Sequence, residues 1–237
     1  MRAGWNPTRR NRNQGQPWAG LGRSNPGPLV WHDNPWDRLG PHTTVIRKVQ
    51  GRKRTFWIAP TLPDHFHACS VGDVVSVLEQ LPGADIFGLD RFWLRQSSRR
   101  EERGHPVWGR MLYWVVPGPG EGGACVVLEA QPRSLTVRWG RHLAPEDLLE
   151  LERLRLDGHR VEQTRRGHLV HCTPETIRNT QLLRTLPHEI GHFVDRKRYD
   201  ETPEVYWRKS ELEKESFAHR YAERFRERLV SSLSASH

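Results

Sequence analysis

Around residue 190 the apolar side chains Leu182, Leu183, Leu186, Ile190, Phe193 and Val194 recur at helical spacing, while His188 and His192 fall on the opposite side. A segment patterned this way folds as a helix with one face in a core and the other turned toward a site. The polar side spells His188-Glu189-Ile190-Gly191-His192. Residues four apart on a helix share a face, so both imidazoles can reach one metal ion while Glu189 projects beside it as a base toward water. A catalytic zinc site uses three protein ligands, so this helix must meet another element.

The third ligand is sought downstream. The segment ELEKESFAHRYAERFRERL offers Glu211, Glu213 and Glu215 beside an apolar stripe of Ala218, Ala222, Phe225 and Leu229. Helical phase turns Glu213 away from that stripe; Glu211 and Glu215 both remain, with periodicity slightly preferring Glu211. Asp195 is read as a supporting or helix-surface carboxylate, and Arg198 is not a ligand. Asp64, His65, His67 and Cys69 would place three donor groups on one strand face, but 13 histidines make such coincidences common, and the group is set aside.

The rest of the chain alternates short strands and helices. Thr43 to Ala59 reads as a hairpin around Gln50-Gly51, and residues 71 to 81 as a helix closed by Pro82-Gly83. Arg91 to Gln96 suits a strand before a polar loop, SSRREERGHP. Trp108 to Val116 and Ala124 to Ala130 flank the PGPGEGG loop as a second hairpin. A strand at Ser134 to Trp139 precedes a helix opened by Pro145 and stopped at Gly158, followed by strands at Arg160 to Thr164 and His168 to Cys172. The last third is helical, from about Pro174 to Arg198 and from about Pro203 to Leu229. This makes 41–237 one α+β domain, β-rich over 41–130 and carrying the candidate site over 131–237.

Composition separates the first 40 residues from this domain. They mix Gly, Pro, Asn and Arg with Trp5, Trp18, Trp31 and Trp36, show no period, and are expected to form a disordered or loosely docked arm. The net charge of +9 comes almost wholly from arginine, 32 against 5 lysines. Such a charge draws acidic partners, and arginines interleaved with tryptophans suit weak contact with nucleic acid. No apolar run is long enough for a membrane span or a secretory signal, and Cys69, Cys125 and Cys172 are isolated thiols. A cytoplasmic address is expected.

HEIGH followed by E-x-x-A-x-x-Y-A, over residues 168 to 229, resembles the gluzincins, in particular the compact minigluzincins and peptidase domains of ImmA/IrrE type. The resemblance implies a zincin-like fold, a small mixed sheet packed on the HExxH helix and on a C-terminal glutamate-bearing helix. It implies Zn2+ held by His188, His192 and Glu215, polypeptide as substrate, and Glu189 as general base in peptide-bond hydrolysis. It also implies a substrate strand laid along a sheet edge, for which His168 to Cys172 is the candidate. His219, Tyr206, Tyr221 and His171 are candidates for stabilising the oxyanion, with His219 and Tyr206 retained as catalytic residues. Three features depart from the family. His219 stands where an Asp or Asn usually supports the first histidine, Pro187 should kink or restart the helix, and the basic N-terminal half has no counterpart. The alternative from another class is a nucleic-acid-binding or regulatory protein on an inactive zincin scaffold.

Overall fold

The computed structural model describes residues 39–104, 107–115 and 122–234. The arm expected over residues 1–40 therefore lies almost wholly outside the described residues, as does most of the PGPGEGG loop.

The first hairpin pairs β1 (Thr43–Val49) with β2 (Arg52–Ile58). Its two-residue turn needs positive φ at both positions, and Gln50 and Gly51 adopt +47° and +80°. The Gln50 amide then donates to the carbonyls of Leu78 and Leu81, at 2.9 and 2.8 Å. Those carbonyls lie at the C-terminal end of α1 (Val71–Glu79), where a helix leaves acceptors unmatched. The turn thus ties the hairpin to the helix that crosses over to β4 (Arg91–Arg95).

A five-stranded mixed sheet follows in the order β1, β2, β4, β6, β5, where β5 is Gly109–Val115 and β6 is Gly123–Glu129. The pairs β2/β4 and β4/β6 are parallel, and the two outer pairs are antiparallel. A second, antiparallel sheet has β10 (Gly167–Cys172) between β8 (Leu135–Trp139) and β9 (Arg160–Thr164). A two-residue ladder joins β3 (His65–Phe66) to β7 (Gln131–Pro132). The strand His168 to Cys172, expected at a sheet edge, is therefore a centre strand paired on both sides. The edge strand that packs on the HEIGH helix is β5.

The helices are α2 (Arg99–Gly104), α3 (Pro145–Leu156), α4 (Pro174–Thr180), α5 (Leu186–Lys197), α6 (Pro203–Arg208) and α7 (Glu211–Ser234). Two differ from the sequence reading. The segment expected to be a polar loop contains α2, because Ser98 and Glu101 cap each other reciprocally at its start. The single helix expected from Pro203 breaks at Lys209, whose ψ of 142° is extended, and restarts behind a second reciprocal cap between Ser210 and Glu213.

Pro187 is accommodated without a sharp break. Residues Gln181–Thr185 form a π-helical turn between α4 and α5, in which the Leu186 N–H reaches back to the Gln181 carbonyl. The wider turn absorbs the register lost to a residue that has no N–H to donate and leaves Pro187 in the first turn of α5. Gln181 fixes this turn by donating to the carbonyls of Trp108 and Glu129, at 3.1 and 2.8 Å.

The main core lies between the five-stranded sheet and α1, α5 and α7, joining Phe56, Phe92, Leu94 and Val126 to Leu182, Leu186, Ile190 and Phe225. Both parts of the 41–237 segment contribute to it. A second core under the smaller sheet gathers Trp108, Trp139, Leu151, Leu154 and Ile177. Where the two meet, the buried Arg184 pairs with Glu150 and with Asp157, and Asp157 also accepts from Thr180 and Arg226. Replacing Arg184 by Met should leave the buried Glu150 with only Arg153, 3.9 Å away, and cost Asp157 one of its partners, destabilising the fold by about 3–5 kcal/mol, measured by urea unfolding. A loss below ~1 kcal/mol would show that this network is dispensable.

Candidate metal centre

The site is built where α5 and α7 cross. Gly191 sits at the contact: a Cβ there would lie 3.0 Å from both Ala218 Cα and Tyr221 Cβ. Only hydrogen fits comfortably at that distance, so a glycine in α5 and an alanine in α7 let the two backbones approach. His188 and His192 flank Gly191 on α5, and Glu215 lies one turn before Ala218 on α7.

This crossing brings the three side chains together. The Nε2 atoms of His188 and His192 are 3.1 Å apart, with the rings nearly perpendicular at 87°. Glu215 Oε2 is 3.3 Å from His188 Nε2, and Oε1 is 3.5 Å from His192 Nε2. Among the described residues this is the one group of three or more His, Cys, Asp or Glu side chains whose ligand atoms converge, all within 4.8 Å. His188 is 0% and His192 1% exposed. Both Glu215 oxygens are buried and have no hydrogen-bond donor among the described residues.

Such a cluster fits a cation. A buried carboxylate without donors is expensive, and two imidazoles turned ring-nitrogen to ring-nitrogen offer it nothing directional unless something positive lies between them. Glu211, the other carboxylate left open by periodicity, is exposed and paired with Lys214 at 3.0 Å. Glu189 is buried on α5 between the two histidines in sequence, 2% exposed.

His219 packs its ring on His188, with centroids 4.6 Å apart. Burial, reinforced by the neighbouring His188, Arg153 and Arg184, pushes its pKa down to about 2, so this imidazole is neutral. The Nδ1 atom of His188 is buried with no hydrogen-bond partner among the described residues. An acidic or amide side chain in place of His219 would suit that atom; the imidazole packs against the ring instead.

Other expected residues have different surroundings. Tyr206 is fully buried, and its hydroxyl is hydrogen bonded to that of Tyr113 on β5, a residue that sequence reasoning did not single out. Strand alternation indicates which residues share the face of Tyr113, but nothing local to it predicts a partner 93 positions away. Tyr221 donates its hydroxyl to Asp85 at 2.7 Å, and His171 pairs with Glu162 at 3.3 Å on the surface. Asp195 is buried and accepts from Lys209, at the break between α6 and α7. His65 and His67 hydrogen bond to Asp64 and to the Ala59 carbonyl, and the set with Cys69 forms no metal-binding group.

No protein-family model, curated protein or solved structure matches this chain. No helix among the described residues is long and apolar enough to cross a membrane.

Two outcomes are expected for this geometry. Glu215→Ala should weaken zinc affinity at least tenfold by competition with a chromogenic chelator, whereas Glu211→Ala should leave it within about twofold. Gly191→Val should force α5 and α7 apart, destabilising the fold by about 1–3 kcal/mol and weakening zinc binding with it. Thermal unfolding and the same competition assay read the two effects separately.

Proposed function

We propose that this α+β chain is a zincin-like, zinc-dependent peptidase of the gluzincin kind. One observation carries the reading: a buried carboxylate from one helix, without donors among the described residues, faces the ring nitrogens of an H-E-x-x-H pair on another. Zinc bound by His188, His192 and Glu215 would supply Lewis acidity, polarising the scissile carbonyl and acidifying water.

The chain's own residues do the rest. Glu189 takes the proton from the attacking water and delivers it to the leaving amine, a transfer favoured by its buried position on the same helix as the two histidines. His219 is neutral and packed on His188, so it can donate an N–H to the developing oxyanion without adding a charge to the site. Tyr206, anchored through Tyr113, is the alternative donor.

We assign the polypeptide substrate to the edge of β5, in place of the paired strand β10. An extended peptide can add to that ladder only where backbone groups are left without a neighbouring strand. The cytoplasmic address belongs to the same proposal: Cys69, Cys125 and Cys172 are buried free thiols, a state that a reducing compartment preserves.

Metal analysis and cleavage of a peptide library should find about one zinc per chain in both wild type and Glu189→Gln, with turnover falling at least a hundredfold in the variant. Zinc retained without turnover by the wild type would instead support the scaffold reading, and equal turnover in both proteins would remove Glu189 as the base.

A further inference from the structure

Away from the metal centre, the C-terminal end of α5 and the middle of α7 enclose a cleft of about 210 Å3, lined by Arg198, Phe217, Arg220, Tyr221 and Arg224. Three guanidinium groups line it and no carboxylate does. Several helix arginines elsewhere in the fold are paired with acids: Arg153 with Glu223, Arg178 with Asp73, Arg196 with Asp200 and Arg226 with Asp157. Arg220 and Arg224 make no ion pair or hydrogen bond among the described residues. They stand four apart on an exposed helix face, a spacing at which like charges repel and destabilise the helix.

The arrangement is held in place. The Arg198 guanidinium lies over the Phe217 ring, 5.4 Å from its centroid, which fixes a long side chain at the mouth of the cleft. Tyr221, also in the lining, donates its hydroxyl to Asp85. Three arginines lining one cleft, without an ion pair among the described residues, match the oxygens of a phosphoryl group, which accept the paired N–H bonds of arginine. The volume is below the ~300–1,000 Å3 typical of drug-sized ligands, so the occupant is compact.

We propose that this cleft binds a compact phosphoryl anion, held by Arg198 at the C-terminal cap of α5 and by Arg220 and Arg224 from α7. The inference is independent of the peptidase reading. The bound anion would bridge the two helices and relieve the repulsion between their arginines, so it should raise thermal stability as well as bind.

The test is calorimetric titration of the full chain with inorganic phosphate, at ionic strength matched with sodium chloride, alongside the thermal midpoint. One site per chain and a raised midpoint are expected. Arg220→Gln/Arg224→Gln should weaken binding at least tenfold. The control Arg138→Gln/Arg141→Gln removes the same charge from exposed positions elsewhere and should leave it unchanged, and so should Glu215→Ala, which separates the cleft from the metal centre. Absence of phosphate binding, equal loss in both arginine pairs, or loss in Glu215→Ala would overturn the proposal. So would a single-stranded oligonucleotide that binds this face and is not displaced by phosphate, since the surface would then serve a polynucleotide.

Discussion

The cluster of His188, His192 and Glu215 depends on how closely α5 and α7 approach at Gly191 and Ala218. A single side chain at position 191 beyond hydrogen would meet the facing backbone at 3.0 Å, tighter than ordinary van der Waals contact. With that contact in place, His188 and His192 on α5 and Glu215, one turn before Ala218 on α7, are brought within 3.5 Å of one another. The middle of the H-E-x-x-H segment therefore has a packing task, and the histidines on either side are carried into position by it.

That crossing is in turn braced from outside. Gln181 hooks the π turn onto the ends of the sheet, and Arg184, in the same turn, is clamped by acids from α3 and its C-terminal cap. Asp157 gathers Thr180, Arg184 and Arg226, so α4, the π turn and α7 are all referenced to one buried carboxylate. Buried charges of this kind hold their geometry because each needs its partners, and removing one leaves the others without compensation. The helix bearing His188 and His192 is thus held in register despite Pro187 in its first turn.

Much of the secondary structure was legible from local pattern. The Gln50-Gly51 turn, the strands around residues 110 and 126, and the helix opened by Pro145 follow from turn chemistry, alternation and capping, which act over a few residues. The elements misjudged were those where polarity outweighed capping. Ser98 with Glu101 and Ser210 with Glu213 are local signals too, but they sit in charged stretches with little apolar period, which masks the start of α2 and the break before α7. The position of β10 was a different kind of error, since a strand's place within a sheet depends on which distant segments pair with it.

The same division holds for the site. Sequence alone determined His188, Glu189 and His192, because helical periodicity puts two imidazoles on one face without any information from elsewhere in the chain. Phase left Glu211 and Glu215 as third partners, with periodicity slightly preferring Glu211, and the resemblance pointed to Glu215. The tertiary structure supplies the physical reason: the crossing at Gly191 sets which turn of α7 faces the histidines, leaving Glu211 in solvent beside Lys214. It likewise set the hydroxyl of Tyr206 against Tyr113, packed His219 on His188, and gathered Arg198 with Arg220 and Arg224 around one cleft. Each of these is a contact between residues far apart in the chain or on separate helices, and no local period encodes the angle at which two helices meet.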